Sequence, residues 1–89
     1  MKSSVAKRKI RALARKGQFV VEDHAWDAME ERCIPYDDLR HGLENAESCR
    51  LQANERWHVV GRDRDGDFLR PIVELQDDLL VVTVYRGDE

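Results

Sequence analysis

The sequence lacks a membrane-length apolar run, a CxxC pair, an internal repeat and a low-complexity stretch. No segment approaches the length of a bilayer span, and no apolar core follows the basic start in the manner of a signal peptide. A cytoplasmic protein with no membrane partner is therefore the expectation. Cysteine is limited to Cys33 and Cys49, far apart in sequence. That spacing points to reduced thiols, with a disulfide or a metal pair as the lesser alternative. His24, His41 and His58 show no zinc-ligand spacing with either cysteine, so neither a metal nor a cofactor is expected. With no linker long enough to divide it, the 89-residue chain reads as one domain, 1–89, around one modest core.

Acidic residues are missing too, but only locally. Lys2, Lys7, Arg8, Lys9, Arg11, Arg15 and Lys16 precede Gly17 without a single carboxylate among them, although the net charge is −3. A first helix of this kind meets a polyanion or an acidic partner, or it is simply solvated. Nothing in the residues decides between these.

What is present is patterned. Ala6, Ile10 and Leu13 recur at helical spacing over 4–16, with Ser3 or Ser4 as a cap and Gly17 as a stop. "QFVVE" is a short extended lead into a helix over about 24–32, capped by Glu22 or Asp23. Pro35, Asp37 and Asp38 suit the start of a third helix over about 36–45, which turns Leu39 and Leu43 inward. From about residue 48 to 86 the period becomes alternating. "SCRLQA", "RWHVVGR", "FLRPIVELQ" and "LLVVTVYR" read as strands of an antiparallel meander, with turns at "DRDGD" and "DD". The expected fold class is α+β, with N-terminal helices packed on one face of a three- to four-stranded antiparallel sheet.

Alternation then sorts the side chains. Trp57, Val59, Leu69, Val73, Leu75, Leu80, Val82 and Val84 are assigned to the core face. Arg56, His58, Arg62, Arg70, Glu74, Thr83 and Tyr85 fall on the opposite face. Arginines, a histidine, a glutamate and a tyrosine on one surface suit RNA cleavage without a metal. A base takes the proton of the ribose 2′-hydroxyl, an acid protonates the leaving oxygen, and guanidinium groups stabilise charge on the phosphoryl oxygens. A merely solvated sheet face, with a cross-strand pair such as Arg70 and Glu74, is the blander reading.

The stretch "HAWDAMEERCIPYDDLRHGLENAE", followed by a meander ending in "LLVVTVYR", resembles the DUF4258 family across residues 18–86. That family looks like part of the wider group of barnase-like and RelE-like ribonuclease folds, with MqsR-type toxins as a neighbouring branch. The resemblance implies an endoribonuclease of a toxin–antitoxin pair. Its partners would be RNA, ribosome-bound mRNA included, and an antitoxin protein. Residue by residue it points to His24 and Arg32 around the second helix, and to Thr83 and Tyr85 in the last strand. One position departs from the pattern. The residue after the helix-closing arginine is commonly glycine and here is Cys33, which would be strained as a left-handed cap, so a different helix end is expected.

Combined, the two readings give His24, His58, Tyr85, Thr83 and Glu74 as candidate catalytic residues. Arg32, Arg56, Arg62, Arg70, Arg86, Lys9 and Arg11 are candidate phosphate or RNA contacts. His24 and Arg32 stand about two helical turns apart and cannot form one contact pair. Capping or packing competes with catalysis for His24, and for Arg32 a salt bridge to Asp37 or Asp38 is favoured. A non-catalytic protein- or RNA-binding module of the same fold is the alternative function. Two other signals fail. Asp63–Glu74 imitates a calcium loop but has Phe68 where the sharp turn needs glycine. A helix-turn-helix would present Asp37, Asp38, Glu44 and Glu47 to DNA.

Overall fold

Ala6, Ile10 and Ala14 lie four residues apart, and all three are fully buried. That single stripe seats α1 (Ser3–Arg15) on the rest of the molecule. In the computed structural model, which describes residues 1–87, α1 is followed by β1 (Phe19–Val21), α2 (Asp23–Glu31), α3 (Tyr36–Glu44), β2 (Ser48–Leu51), β3 (Trp57–Arg62), β4 (Phe68–Leu75) and β5 (Leu79–Arg86). The fold is α+β: three helices pack on one face of a five-stranded sheet of order β1-β5-β4-β3-β2. One core cluster draws on every helix and every strand, from Ile10, Met29 and Leu43 to Val59, Val73 and Val81.

The expected Ser3 or Ser4 cap is not made. α1 begins at Ser3, and the backbone of Lys2 caps it without a side-chain bond. Its end is as expected, with Gly17 at φ +72° and the Gln18 N–H donating to the Leu13 carbonyl at 2.8 Å. The end of α2 corrects the expectation. Cys33 adopts φ +55°, the Ile34 N–H donates to the Met29 carbonyl at 2.9 Å, and Cys33 N–H donates to the Glu30 carbonyl at 3.2 Å. These are the bonds a glycine-capped helix makes. Ile34 and Met29 are both buried, so the apolar contact that accompanies this motif holds a cysteine in a conformation costing about 1–2 kcal/mol.

The sheet has one strand more than the alternation suggested. "FVV" is too short to show a period, yet it pairs parallel to β5, Phe19 with Leu79 and Val21 with Val81. The other neighbours are antiparallel. In the centre, β4 carries the buried Pro71. Pairing with β3 runs through Trp57–Val73 and His58–Ile72 and resumes at Gly61–Leu69. The gap falls where proline has no N–H to give. Gly61 sits there against the Gly42 backbone, and a β-carbon on Gly61 would meet the Gly42 carbonyl carbon at 2.9 Å. α3 and β3 can touch this closely because Gly61 has no β-carbon; one on Gly42 would press the Arg62 carbonyl at 3.3 Å.

A bulge corrects the core assignment of β5. Ile72 pairs with Thr83 but Val73 pairs with Val81, leaving Val82 as the extra residue. The core cluster therefore takes Leu79, Val81 and Val84 from this strand, and neither Leu80 nor Val82 belongs to it. Strict alternation back from Val84 selects Val82, which is buried but outside that cluster, and Leu80, which is only half-buried, because the phase changes at the bulge. Thr83 and Tyr85, beyond it, keep the outward face expected of them.

Replacing Cys33 by glycine removes the β-carbon clash at a left-handed position. Chemical denaturation of Cys33→Gly should show a gain of about 0.5–1 kcal/mol; a loss would mean that the thiol contributes more than the strain.

Candidate functional site

The uncovered face of the sheet brings three basic side chains together across three strands. Arg50 on β2 lies opposite His58 on β3, and His58 lies opposite Ile72 on β4, next but one to Arg70. The Arg50 Nη2 is 3.3 Å from His58 Nδ1, and the Arg70 Nη1 is 3.5 Å from His58 Nε2. A neutral imidazole has one acceptor nitrogen, so it accepts from one guanidinium while its own N–H faces the other. Protonation would leave no acceptor and three adjacent cations. Burial, then the charges of Arg70 and Arg50, accordingly hold the His58 pKa below the ordinary 6.5. Ser48, Cys49, Arg50, His58 and Val60 line a shallow cavity of about 130 Å³ at this point.

Tyr85 extends the cluster. It pairs with Arg70 across β4 and β5 and is exposed. The Arg32 guanidinium, at the end of α2, stands 5.2 Å from its ring centroid. Thr83 pairs with Ile72 and is half-buried on the same face. The expected salt bridge from Arg32 to Asp37 or Asp38 does not form. Arg32 bonds the Ala28 carbonyl at 3.3 Å and approaches Glu31 at 3.8 Å. Arg64 takes both aspartates instead, with Nε at 2.7 Å from Asp38 Oδ1 and Nη1 at 3.8 Å from Asp37 Oδ2.

Other candidates are committed elsewhere. Arg56 pairs with Glu74 at 3.4 Å. Arg62 pairs with Glu47 at 2.7 Å, donates to the Gly66 carbonyl and covers the Phe68 ring. Arg86 donates from Nη1 to Asp63 Oδ2 at 2.9 Å and from Nη2 to the Cys33 carbonyl at 3.5 Å. Arg11 donates to the Ala46 carbonyl at 2.9 Å, and Lys9 is exposed beside it on α1, across the sheet from His58. His24 is exposed in the first turn of α2 and makes no side-chain hydrogen bond or ion pair to a described residue. The structure does not bring it to the cluster.

Arg50 is the residue that alternation along β2 could have supplied. "SCRL" carries Arg50 on the face of His58 once the register is known, but four residues leave the period ambiguous. Among the described residues no group of three or more His, Cys, Asp or Glu is placed to hold a metal ion. No described helix is long and apolar enough to cross a membrane. No protein-family model, curated protein or solved structure matches the chain.

Three measurements follow from this geometry. NMR titration should place His58 below 6.5, and Arg50→Gln should move it up. Unfolded chain begins to bind this proton near 6.5, so the fold loses stability as the pH drops from there through the lower folded value. His58→Gln should flatten that part of the stability profile. Arg86→Ala strands Asp63, which is 3% exposed, and should lower the unfolding free energy by about 1.5–3 kcal/mol. An unchanged denaturation midpoint would show that the amide bonds to Asp63 suffice.

Proposed function

We propose that the chain is a cytoplasmic endoribonuclease of the toxin type, cleaving RNA by general acid–base chemistry on the open sheet face. The reading rests on one observation above the rest: an imidazole kept neutral between two guanidiniums on an accessible surface. The α+β class, with three helices against a mostly antiparallel sheet, is the fold class that the DUF4258 and RelE-like resemblance implies. RNA, including ribosome-bound mRNA, is the proposed substrate, and an antitoxin protein the proposed partner.

In this reading His58 accepts the proton of the ribose 2′-hydroxyl. The 2′-oxygen bonds to phosphorus, the bond from phosphorus to the 5′-oxygen breaks, and that oxygen takes a proton from the Tyr85 phenol. Water later opens the cyclic phosphate. Arg50 and Arg70 balance the charge that builds on the non-bridging oxygens. An arriving phosphate also offsets the two guanidinium charges, which makes His58 a better proton acceptor with substrate bound than without. Arg32 over Tyr85 orients the phenol. Thr83 lies beside it as a substrate contact. Glu74 is held by Arg56 and serves the site only by fixing that arginine.

The second reading, a non-catalytic binding module, draws support from the net charge of −3 and from the ion pairs that occupy Arg56, Arg62 and Arg86. Incubating purified protein with mixed RNA in excess chelator separates the two. Cleavage is expected from the wild type and from His24→Ala. His58→Ala should lose roughly 10²–10⁴-fold in rate while keeping its fold. RNA binding without cleavage by the wild type would establish the binding module, and equal cleavage by His58→Ala would remove the histidine from the mechanism.

A further inference from the structure

β2 forms one free edge of the sheet. The Gln52 N–H donates to the Arg56 carbonyl at 2.8 Å, which makes Gln52–Arg56 a hydrogen-bonded pair of the β2–β3 ladder. Parity then makes Arg50–His58 and Ser48–Val60 bonded pairs as well, so Cys49 and Leu51 turn their N–H and C=O groups away from β3. Leu51 is 51% exposed, and Ser48 and Arg50 are exposed. This is a short template for another strand.

The charges beside that edge select the strand. On the open face stand Arg50, His58 and Arg70. On the helix side a cavity of about 230 Å³ is lined by Ser3, Ser4, Lys7, Glu47, Ser48 and Cys49. Glu47, its one carboxylate, is bonded to Arg62 at 2.7 Å. The edge thus runs between the basic helix and the arginine cluster, the place where the two basic surfaces meet. The opposite edge, β1, is three residues long and adjoins Asp77 and Asp78. A second copy of the chain suits β2 poorly, since antiparallel pairing would bring two Arg50 side chains onto one face.

We propose that β2 accepts an extended acidic segment of a partner protein by strand addition, with alternate carboxylates reaching Arg50 and covering the His58 cluster. The strand's backbone completes the ladder at Cys49 and Leu51, and its intervening side chains face Lys7, Ser3 and Ser4. Such a partner shuts the phosphate site by occupying it. Binding is the readout, so the proposal stands or falls independently of whether the protein cleaves RNA.

The probe is a short synthetic peptide alternating glutamate with threonine, added to the full chain and followed by amide hydrogen exchange and NMR shifts. Protection of the Cys49 and Leu51 amides is expected. The glutamine–threonine counterpart should bind more weakly, and Arg50→Glu should reverse the preference toward a lysine–threonine peptide. Leu51→Pro removes an outward N–H without touching the β3 ladder and should weaken binding roughly fivefold. Absence of binding, unchanged Cys49 and Leu51 amides, or equal affinity for the glutamine peptide would overturn the proposal. So would an unstructured RNA that protects the same two amides, which would assign the edge to nucleic acid.

Discussion

Asp63 is the buried charge on which this end of the sheet depends. Its Oδ1 accepts the amides of Asp65 and Asp67 at 2.9 and 2.8 Å, and its Oδ2 accepts Arg86 at 2.9 Å. The bond from Arg86 comes first among the causes that hold the Asp63 carboxyl below its usual range, and it outweighs burial, which acts the other way. One carboxylate thereby shapes the β3–β4 turn and ties it to the last residue of β5. Arg86 continues outward to the Cys33 carbonyl at 3.5 Å. The end of α2 is fixed to the end of β5, and Arg32 is left where it can stand over Tyr85. A structural ion pair on the helix-covered side sets the geometry of an exposed contact on the other.

The arginines divide by this logic. Three arginines meet carboxylates from α3, from the segment after it and from the β3–β4 turn: Arg64 with Asp38, Arg62 with Glu47, Arg86 with Asp63. Exposed pairs such as Arg62–Glu47 stabilise little in water, but they do occupy the guanidinium. Arg50 and Arg70 instead flank the His58 imidazole, and the charge of each acts on it. Positive potential therefore gathers around His58 in a chain whose formal charge is negative.

The helices, the meander and the outward positions of His58, Arg70 and Tyr85 were legible because they rest on periods that persist for many residues. What was not legible involves single-residue events. The Val82 bulge changes the phase of β5 and leaves no mark in "LLVVTVYR", where every candidate for the extra residue is apolar or β-branched. β1 is too short to have a period, and its parallel partner lies some sixty residues away. Cys33 departs from the local preference for glycine at a left-handed cap; the burial of Ile34 and Met29 and the bond from Arg86 outweigh the strain. The commitments of Arg86 and Arg62 arise from contacts distant in sequence, which composition cannot reveal.

The basic helix and the arginine cluster looked like one signal in the sequence and are two surfaces in space. α1 buries Ala6, Ile10 and Ala14 in the core, so its exposed Arg8, Lys9 and Arg15 lie on the far side of the helix from the sheet, while His58 points out from the sheet's other face. A ligand that used both would have to pass around an edge of the sheet. β1 offers the acidic side chains of Asp77 and Asp78 there, whereas β2 offers Lys7 on one side and Arg50 on the other. The thiol of Cys49, donating to the Ser3 carbonyl at 3.2 Å, ties the start of α1 to that strand. Local charge and backbone direction thus give this small fold one passage between its two basic surfaces, and the passage lies along β2.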